Sequence, residues 1–385
     1  MTEPVYDVII IGAGSVGTPA AMFLAEAGFK TLVIDQFASV GQGANKAAIG
    51  GIRATHSDPA KIRLCLKSIE VFSTWQQQYG DNLEWIAGGY CFVAYRPREE
   101  KILKNLLAVQ KEYQLNIEWL NREALLEAVP ALNPEGLIGG TFSPDDGSAS
   151  PMRSALAFYR RAREKGAVFQ FGEKVTGILT VRGRVQGVHT NQGTYSCGSV
   201  INAAGPWARE VAETVGLDVL VVPDSHEGGV SEPVAPFLRP MLVDIRQTSD
   251  SANYYFYQHA TGQIIFCITP APPMVGTDRR ETSAFLPQVS RRMVNLVPRL
   301  CNLRVRRTWR GLYPMTPDGF PIVGLAPEVE GYVHAVGMCG QGYMLGPGVG
   351  DLLVRLIQGN LTANDDEVLR GLRPDRPFRG QEKLK

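Results

Sequence analysis

The chain has 385 residues, 44% of them hydrophobic and 20% charged, which is ordinary for a globular protein with room for two sizeable cores. Its 39 basic and 38 acidic residues leave a formal charge of +1, which argues against nucleic acid as a partner and favours small-molecule chemistry. No apolar run approaches the ~18–20 residues of a membrane span. The six cysteines form no C-x-x-C pair, and the sequence opens on an apolar strand rather than a signal peptide, so we expect a cytoplasmic protein with reduced, buried thiols.

The first apolar segment predicts a nucleotide-binding strand, turn and helix. A strand over residues 7–11 leads into a helix through the glycine pattern Gly12-Ala13-Gly14-Ser15-Val16-Gly17. Gly12 permits the turn, Gly14 lets the backbone approach a pyrophosphate, and Gly17 allows the helix to pack closely on the strand. A second strand ends at Asp35 and Gln36, where an acid bonds the ribose of an adenosine. The pattern predicts a bound dinucleotide and leaves NAD and FAD open.

Capping residues and hydrophobic periodicity predict the remaining elements. Helices are expected over residues 58–79, 98–115, 122–129, 151–165 and 349–357. Strands are expected at residues 85–94, 167–171, 175–181, 185–190, 199–202 and 332–336, and residues 219–309 have a mostly β pattern. Ser57 is the predicted cap of the helix that begins at residue 58. The charged, proline-containing tail after residue 373 is expected to be poorly ordered.

The set of motifs along the chain resembles the flavin amine and amino-acid oxidoreductases, the group of D-amino acid oxidase, glycine oxidase and sarcosine oxidase. The chain looks most like the β subunits of heteromeric sarcosine oxidase and L-proline dehydrogenase. The matching segments are the glycine pattern with Asp35, His226 with residues 230–233, and residues 50–53, 203–207, 316–318 and 340–344. The resemblance implies FAD rather than NAD. A long planar flavin also needs several flat surfaces of small residues, and the sequence has three.

The resemblance implies a fold that combines α/β and α+β parts. A Rossmann-like FAD-binding domain would be joined to a discontinuous second domain built on a mostly antiparallel sheet. The order of the predicted elements assigns residues 1–85, 145–220 and 312–385 to the FAD-binding domain. Residues 86–144 and 221–311 then form the substrate-binding domain.

The resemblance also implies which residues contact a non-covalent FAD. Besides the glycine pattern, Asp35 and Gln36, they are Ala44, Asn45, Gly50, Gly51, Ile52, Val175, Ala203, Gly205, Trp207, Gly311, Gly337, Gly340, Gln341, Gly342, Tyr343 and Met344. Gly311 stands where monomeric sarcosine oxidases attach the flavin through a cysteine, so attachment there is excluded. Arg153 is nearest to the histidine that anchors a second flavin in sarcosine oxidase β subunits, which leaves a non-covalent FMN at a subunit interface open.

Four side chains are candidates for the chemistry: Arg53, His226, Tyr255 and Tyr313. Arg53 follows the flavin-facing loop, and a guanidinium forms bidentate pairs with carboxylates; the alternative is a structural salt bridge. His226 is either a neutral imidazole that accepts the amine proton or orients the substrate, or a histidine that satisfies backbone at the start of a strand. Tyr255 and Tyr313 match tyrosines that lie over the substrate in sarcosine oxidases, with simple packing as the alternative.

The resemblance implies oxidation of an amino acid by hydride transfer from the carbon beside nitrogen to flavin N5. Met344 replaces a lysine that holds the substrate carboxylate in monomeric sarcosine oxidases, so a secondary or cyclic amino acid is expected. No lysine occurs between Lys174 and Lys383, and an ungapped match places Phe266 at the position of an oxygen-activating lysine, which favours a dehydrogenase. Substitute cations for that lysine are Arg279, Arg280 and Arg310.

Two alternatives stay open at this point. The glycine pattern by itself also fits an NAD-dependent dehydrogenase. The likeness to β subunits fits a flavin-carrying subunit that is inactive without an α-type partner chain, and a homo-oligomer is equally compatible. The amine and the electron acceptor are left open by the sequence.

Overall fold

The computed structural model describes residues 5–384 of the chain. Its helices are α1 (Gly17–Glu26), α2 (Pro59–Tyr79), α3 (Pro97–Glu112), α4 (Arg122–Ala128), α5 (Pro151–Glu164), α6 (Ala208–Glu213), α7 (Phe285–Leu296), α8 (Gly342–Gln358) and α9 (Ala363–Leu372). Its strands are β1 (Val5–Ile11), β2 (Thr31–Asp35), β3 (Gly51–Ile52), β4 (Tyr90–Ala94), β5 (Glu118–Asn121), β6 (Gly139–Ser143), β7 (Gly147–Ser148), β8 (Val168–Phe171), β9 (Val175–Val181), β10 (Arg184–Thr190), β11 (Thr194–Asn202), β12 (Val222–Pro233), β13 (Met241–Asp244), β14 (Ser251–Gln258), β15 (Gln263–Pro270), β16 (Met274–Val275), β17 (Val305–Met315), β18 (Ile322–Leu325) and β19 (Tyr332–Val336).

The first sheet has the strand order β18-β19-β11-β1-β2-β8, and the β9–β10 hairpin pairs with β11. The strands from β19 to β8 run parallel, and β1 and β2 are buried along most of their length. Parallel strands covered on both faces read as continuous apolar runs, which is the pattern of β1 and β2. The carboxyl ends of β1, β2 and β11 lie at one edge of the sheet, so the glycine turn, Asp35 and Ala203 come together there.

The second sheet has the strand order β16-β12-β15-β14-β13-β4-β6-β5, with β17 paired to β12. Its pairs are antiparallel except for β13 and β4, which run parallel. One mainly parallel and one mainly antiparallel sheet, both packed with helices, confirm the predicted α/β and α+β fold class. The division into two domains at the boundaries given above stays a prediction.

Several predicted elements need correction. The strands at residues 175–181 and 332–336 have the predicted bounds, but the strand at 85–94 covers only Tyr90–Ala94. Asp58 rather than Ser57 caps α2, because the Asp58 side chain accepts a hydrogen bond from the Lys61 backbone N–H. The Ser57 hydroxyl instead donates to Glu382. Among the elements that had not been predicted are β5, β6, α9 and α7, the last within the segment expected to be mostly β.

The last long helix, α8, begins at Gly342, well before the predicted start at residue 349. Its glycines lower helix propensity, which hid the first turns in the sequence. In the structure these glycines face other backbones: a side chain at Gly346 would overlap the Ser15 carbonyl, and one at Gly348 would overlap the Leu64 carbonyl. Close packing against α1 and α2 therefore outweighs the cost of glycine in this helix.

The sequence had suggested that the C-terminal tail is poorly ordered. In the structure, the tail instead folds back onto the body of the protein. Arg376 forms a buried ion pair with Asp318, and Glu382 forms one with Lys61 in which both side chains are fully buried. The Leu384 side chain is also fully buried. The prediction from composition was wrong, because these charged side chains form buried ion pairs instead of facing water.

No helix among residues 5–384 is long and apolar enough to cross a membrane. The cysteines are free thiols, and five of them are buried as predicted: Cys65, Cys91, Cys197, Cys267 and Cys339. The prediction fails for Cys301, which is exposed. Within the same range, no cluster of histidine, cysteine and acidic residues is suited to a metal ion.

Lys61→Met is expected to release the tail. It leaves the buried Glu382 carboxylate without a cation, and breaking a buried pair costs about 3–5 kcal/mol. Trypsin should therefore cleave after Arg379 about tenfold faster or more, as measured by mass spectrometry of the whole chain. The control is Lys61→Met/Glu382→Gln, in which no charge is left unpaired and protection should return. Equal cleavage rates in the wild type and in Lys61→Met contradict this account of the tail.

Candidate active site

One cavity of about 780 Å³ lies between the carboxyl edge of the first sheet and one face of the second sheet. It brings together most of the residues that the sequence singled out, although they come from distant parts of the chain. The predicted residues that line it are Gly12, Gly14, Ser15, Val16, Asp35, Gln36, Ala44, Asn45, Gly50, Gly51, Arg53, Val175, Ala203, Gly205, Trp207, His226, Tyr255, Gly311, Tyr313, Gly340, Gln341, Gly342, Tyr343 and Met344.

Four of the predicted cofactor residues lie behind this lining. The Ala13 N–H donates to Asp35 Oδ2 at 2.7 Å, and Ile52 is fully buried in the core. Gly17 packs so closely that a side chain would overlap the Gly12 carbonyl. Gly337 has a φ of +67°, and a side chain there would overlap Thr316. These residues support the shape of the cavity from outside it.

The three glycines of the turn differ in what surrounds them. Gly12 has a φ of +110°, and a side chain there would run into the Ala203 carbonyl, while Gly17 is confined as described above. A Cβ at Gly14 meets no atom within 4 Å. The packing of the protein therefore does not require glycine at position 14, and the open space above Gly14 fits the path of a pyrophosphate.

Asp35 ends β2 beside this turn. Its Oδ2 accepts the Ala13 N–H at 2.7 Å, and its Oδ1 accepts the Phe37 N–H at 2.8 Å. Burial raises the pKa of the Asp35 carboxyl, and the two backbone hydrogen bonds oppose that shift. Each carboxylate oxygen can accept more than one hydrogen bond, so Asp35 can also accept from ribose hydroxyls in the cavity.

Two close backbone approaches shape the other end of the cavity. A side chain at Gly311 would meet Ala47 Cβ at 2.7 Å, and one at Gly340 would overlap the Tyr313 ring. The Trp309 indole N–H also donates to the Ala47 carbonyl at 2.9 Å. Strand β17 therefore contacts the loop around Ala47 on one side and the segment that begins at Gly340 on the other.

Three of the four candidate catalytic residues form one cluster on the cavity face of the second sheet. The hydroxyls of Tyr255 and Tyr313 lie 2.8 Å apart, and the His226 ring stacks on the Tyr313 ring with 3.7 Å between centroids. Burial raises the pKa of both tyrosines well above its ordinary value, so both phenols are neutral.

Asp224 also belongs to this cluster, although it had not been predicted as a site residue from the sequence. His226 Nε2 lies 3.4 Å from Asp224 Oδ1, and His226 Nδ1 lies 3.4 Å from Thr269 Oγ1. Asp224 Oδ1 is buried and has no hydrogen-bond partner among residues 5–384. The sequence did contain a signal for Asp224, which is its spacing of two residues from His226. Residues at this spacing on one strand face the same side, and here Asp224 is paired with Tyr313 on the neighbouring strand.

Arg53 reaches the cavity from the loop after β3 and is only 5% exposed. Its Nη1 donates to the Thr55 carbonyl and lies 3.1 Å from His56 Nδ1, and its Nη2 donates to the Leu384 carbonyl at 2.5 Å. Arg53 forms no salt bridge with any carboxylate of residues 5–384. The structural salt bridge considered as the alternative role is therefore not present in this range.

The position of Phe266, which had favoured a dehydrogenase, is not supported by the structure. Phe266 is fully buried and stacks on Phe285, away from the cavity, whereas the residue paired with Tyr255 is Cys267. The ungapped match had therefore placed at the lysine position a residue that does not line the cavity. In addition, Lys383 of the tail lines the cavity, so a lysine does lie near the site.

All the predicted site residues lie within a segment that matches a known family. The family model of the DAO group, described as FAD-dependent oxidoreductase, matches residues 7–356. The chain belongs to this family. Its cofactor class is therefore FAD, and the NAD-dependent alternative is set aside.

Similar proteins agree with this assignment. Hydrogen cyanide synthase subunit HcnC of Pseudomonas aeruginosa is 30% identical over 305 residues, which is 78% of this chain and 71% of that protein. Glycine oxidase of Geobacillus kaustophilus is 27% identical over 371 residues, covering 94% of this chain and 95% of its own length. The solved structure of L-proline dehydrogenase from P. horikoshii has a TM-score of 0.90 at 29% identity and covers 97% of both chains. The predicted resemblance to the D-amino acid oxidase and sarcosine oxidase group is confirmed.

The cavity also fits FAD on its own chemistry. Gly14 leaves room for a pyrophosphate, and Asp35 offers acceptors to a ribose. Two buried amide oxygens of the lining, Asn45 Oδ1 and Gln341 Oε1, have no hydrogen-bond partner among residues 5–384. A buried acceptor without a partner is unfavourable, and a ligand with N–H or O–H donors would satisfy it.

Gly14→Val is expected to abolish FAD binding while the chain stays folded. The valine has room in the protein itself but fills the space that fits the pyrophosphate. Flavin absorbance per chain and the thermal unfolding midpoint measure the two effects separately. Gly193→Val is the matched control, because a Cβ there also meets no atom within 4 Å but Gly193 lies outside the cavity. Full flavin content in Gly14→Val would contradict the role of Gly14 at the pyrophosphate.

Proposed function

We propose that the protein uses FAD to oxidise the C–N bond of a secondary or cyclic amino acid. The observation that carries this proposal is the buried guanidinium of Arg53, which lines the cavity and contacts only neutral acceptors among residues 5–384. A desolvated charge without a counter-charge is unfavourable. A substrate carboxylate supplies that counter-charge.

Arg53 has further N–H donors that can bind such a ligand. A guanidinium carries five N–H groups, and three of them are engaged by Thr55, His56 and Leu384. Two N–H groups remain, which is the number that a bidentate carboxylate uses. Arg53 is therefore the proposed carboxylate anchor.

The surroundings of Arg53 support a substrate with an apolar skeleton. The guanidinium lies over the Phe92 ring, 5.3 Å from its centroid, and Tyr90 and Val243 line the same part of the cavity. Met344 adds no second cation. Apolar walls beside the guanidinium suit the carbon skeleton of a secondary or cyclic amino acid. The similarity to L-proline dehydrogenase supports the same class, and the similarity to glycine oxidase supports an amino acid as the substrate.

Bound FAD would supply the chemistry by accepting a hydride from the substrate carbon beside nitrogen. The residues of this chain hold that carbon in place and keep the amine neutral. Arg53 binds the carboxylate, and the buried hydroxyls of Tyr255 and Tyr313 help to exclude water. His226 and Asp224 offer nitrogen and carboxylate acceptors for the amine proton.

Anaerobic mixing of the FAD-loaded protein with amino acids tests this function. A panel of N-methyl, cyclic and primary amino acids should include a secondary or cyclic member that bleaches the flavin absorbance fastest. Re-oxidation by air compared with an artificial acceptor then separates oxidase from dehydrogenase. Protein without flavin, or flavin that no member of the panel bleaches, contradicts the proposal.

A second candidate is a flavin-carrying subunit that depends on a partner chain. It is supported by the similarity to HcnC, which is itself named as a subunit. This candidate predicts bleaching of the flavin by the substrate but little turnover until a partner is added. Steady turnover by the purified chain with an artificial acceptor excludes it.

Arg53→Ala is expected to weaken binding of the bleaching amino acid by about tenfold to hundredfold, because hydrogen bonds between charged groups are lost. Flavin content should stay within about threefold of the wild type. The concentration of amino acid that gives half-maximal bleaching rate and the flavin per chain measure the two. Arg53→Lys keeps the positive charge but not the bidentate geometry of the guanidinium, so its half-maximal concentration should lie between those of the wild type and Arg53→Ala. Equal losses of substrate and flavin would mean that Arg53 acts through the fold.

A further inference from the structure

His56 lies directly behind Arg53 and does not line the cavity. The ring is fully buried, with Nδ1 3.1 Å from Arg53 Nη1 and Nε2 3.3 Å from Cys65 Sγ. A guanidinium has donors only, so a hydrogen bond between Arg53 Nη1 and His56 requires Nδ1 as the acceptor and places the ring proton on Nε2. The Nε2–H therefore points at the Cys65 sulfur.

The charge state of this ring is set by its surroundings. Burial lowers the pKa of His56 well below its ordinary value, the nearby cations Arg53 and Lys61 lower it further, and a hydrogen bond with the Arg53 backbone opposes these effects. Burial also raises the pKa of the Cys65 thiol, which stays protonated and lies 3.8 Å from the Met344 carbonyl. A neutral imidazole is thus held between the guanidinium and a thiol.

The backbone of His56 is held as firmly as its ring. The His56 N–H donates to the Ala54 carbonyl at 2.8 Å, and the His56 carbonyl accepts from Gln110 Nε2 at 3.0 Å. A side chain fixed at backbone, Nδ1 and Nε2 can serve as a rigid support for a neighbour.

We propose that His56 is a positioning residue that orients the Arg53 guanidinium towards the substrate carboxylate. The inference rests on the proposed function in one respect, namely that Arg53 is the carboxylate anchor. Thr55 and His56 together engage Nη1, so the guanidinium cannot turn without losing a hydrogen bond. Arg53 also lines the cavity, so the donors that remain are those that can bind a ligand there.

The test compares two ligands that differ only at the group that Arg53 would bind. Pyrrole-2-carboxylate and pyrrole-2-carboxamide are planar analogues of a cyclic amino acid and its amide, and neither has the saturated C–H that would be oxidised. Binding to the FAD-loaded protein is followed by the change in flavin absorbance. The ratio of the two dissociation constants reports how well the guanidinium selects a carboxylate.

His56→Leu removes the acceptor and should weaken pyrrole-2-carboxylate binding by about tenfold while the carboxamide changes little. His56→Asn places an amide oxygen near the position of Nδ1 and should stay within about threefold of the wild type. If His56→Leu loses its flavin, His56→Gln gives the same test, because its polar atoms lie near the position of Nε2 and leave Nη1 without the acceptor.

His334→Leu is the matched control. His334 is also a buried histidine, packed against Tyr332, and it does not line the cavity. Its loss should leave the ratio of the two dissociation constants unchanged.

Three results overturn the inference: equal weakening of both ligands in His56→Leu, an unchanged ratio in that variant, or a wild type that does not bind pyrrole-2-carboxylate. Failure of the proposed reaction looks different. In that case no amino acid bleaches the flavin, yet the selectivity for carboxylate still depends on His56.

Discussion

A buried positive charge held by neutral acceptors is the interaction on which the site depends. Removing a guanidinium from water costs several kcal/mol. Arg53 donates hydrogen bonds to the Thr55 carbonyl, His56 and the Leu384 carbonyl, and none of these acceptors carries a negative charge. Burial raises the pKa of the Asp146 carboxyl, and Arg53 is near enough to lower it, but Asp146 forms no ion pair with Arg53, and its oxygens accept from the Ala54 N–H and the Thr55 hydroxyl. The cavity in front of Arg53 is therefore the place where an anion is favoured.

The same charge links the end of the chain to the site. The Leu384 carbonyl contacts Arg53, and Glu382, two residues earlier, is paired with Lys61 inside the protein. Arg376 and Asp318 hold the start of the tail in the same way. Two buried ion pairs thus place a backbone carbonyl against the proposed carboxylate anchor, and the fold of the tail and the chemistry of the cavity depend on each other.

The parts of the site that the sequence could predict are those coded by neighbouring residues. The turn from Gly12 to Gly17 is one local unit, and each glycine has a physical reason that spacing alone suggests. The contact of Arg53 with Leu384 joins residues far apart in the chain, and no local pattern encodes it. Phe266 shows a second limit, since successive residues of a strand face opposite sides and the ungapped match did not show that Phe266 faces away from the cavity.

The same reasoning applies to the fold. Strands with strong alternation or continuous apolar runs were predicted with good bounds, whereas α8 was not, because close packing of its glycines on other backbones is a tertiary effect. Asp224 could have been found from its spacing to His226 on β12, but its lack of a hydrogen-bond partner among residues 5–384 is visible only in three dimensions.

A crystal structure of the FAD-loaded protein with pyrrole-2-carboxylate tests the central claim most directly. The account predicts both carboxylate oxygens at about 3 Å from nitrogens of Arg53, with the pyrrole ring between the flavin and the cluster of Tyr255 and Tyr313. A ligand carboxylate bound elsewhere, or an Arg53 side chain turned away from the cavity, would contradict it.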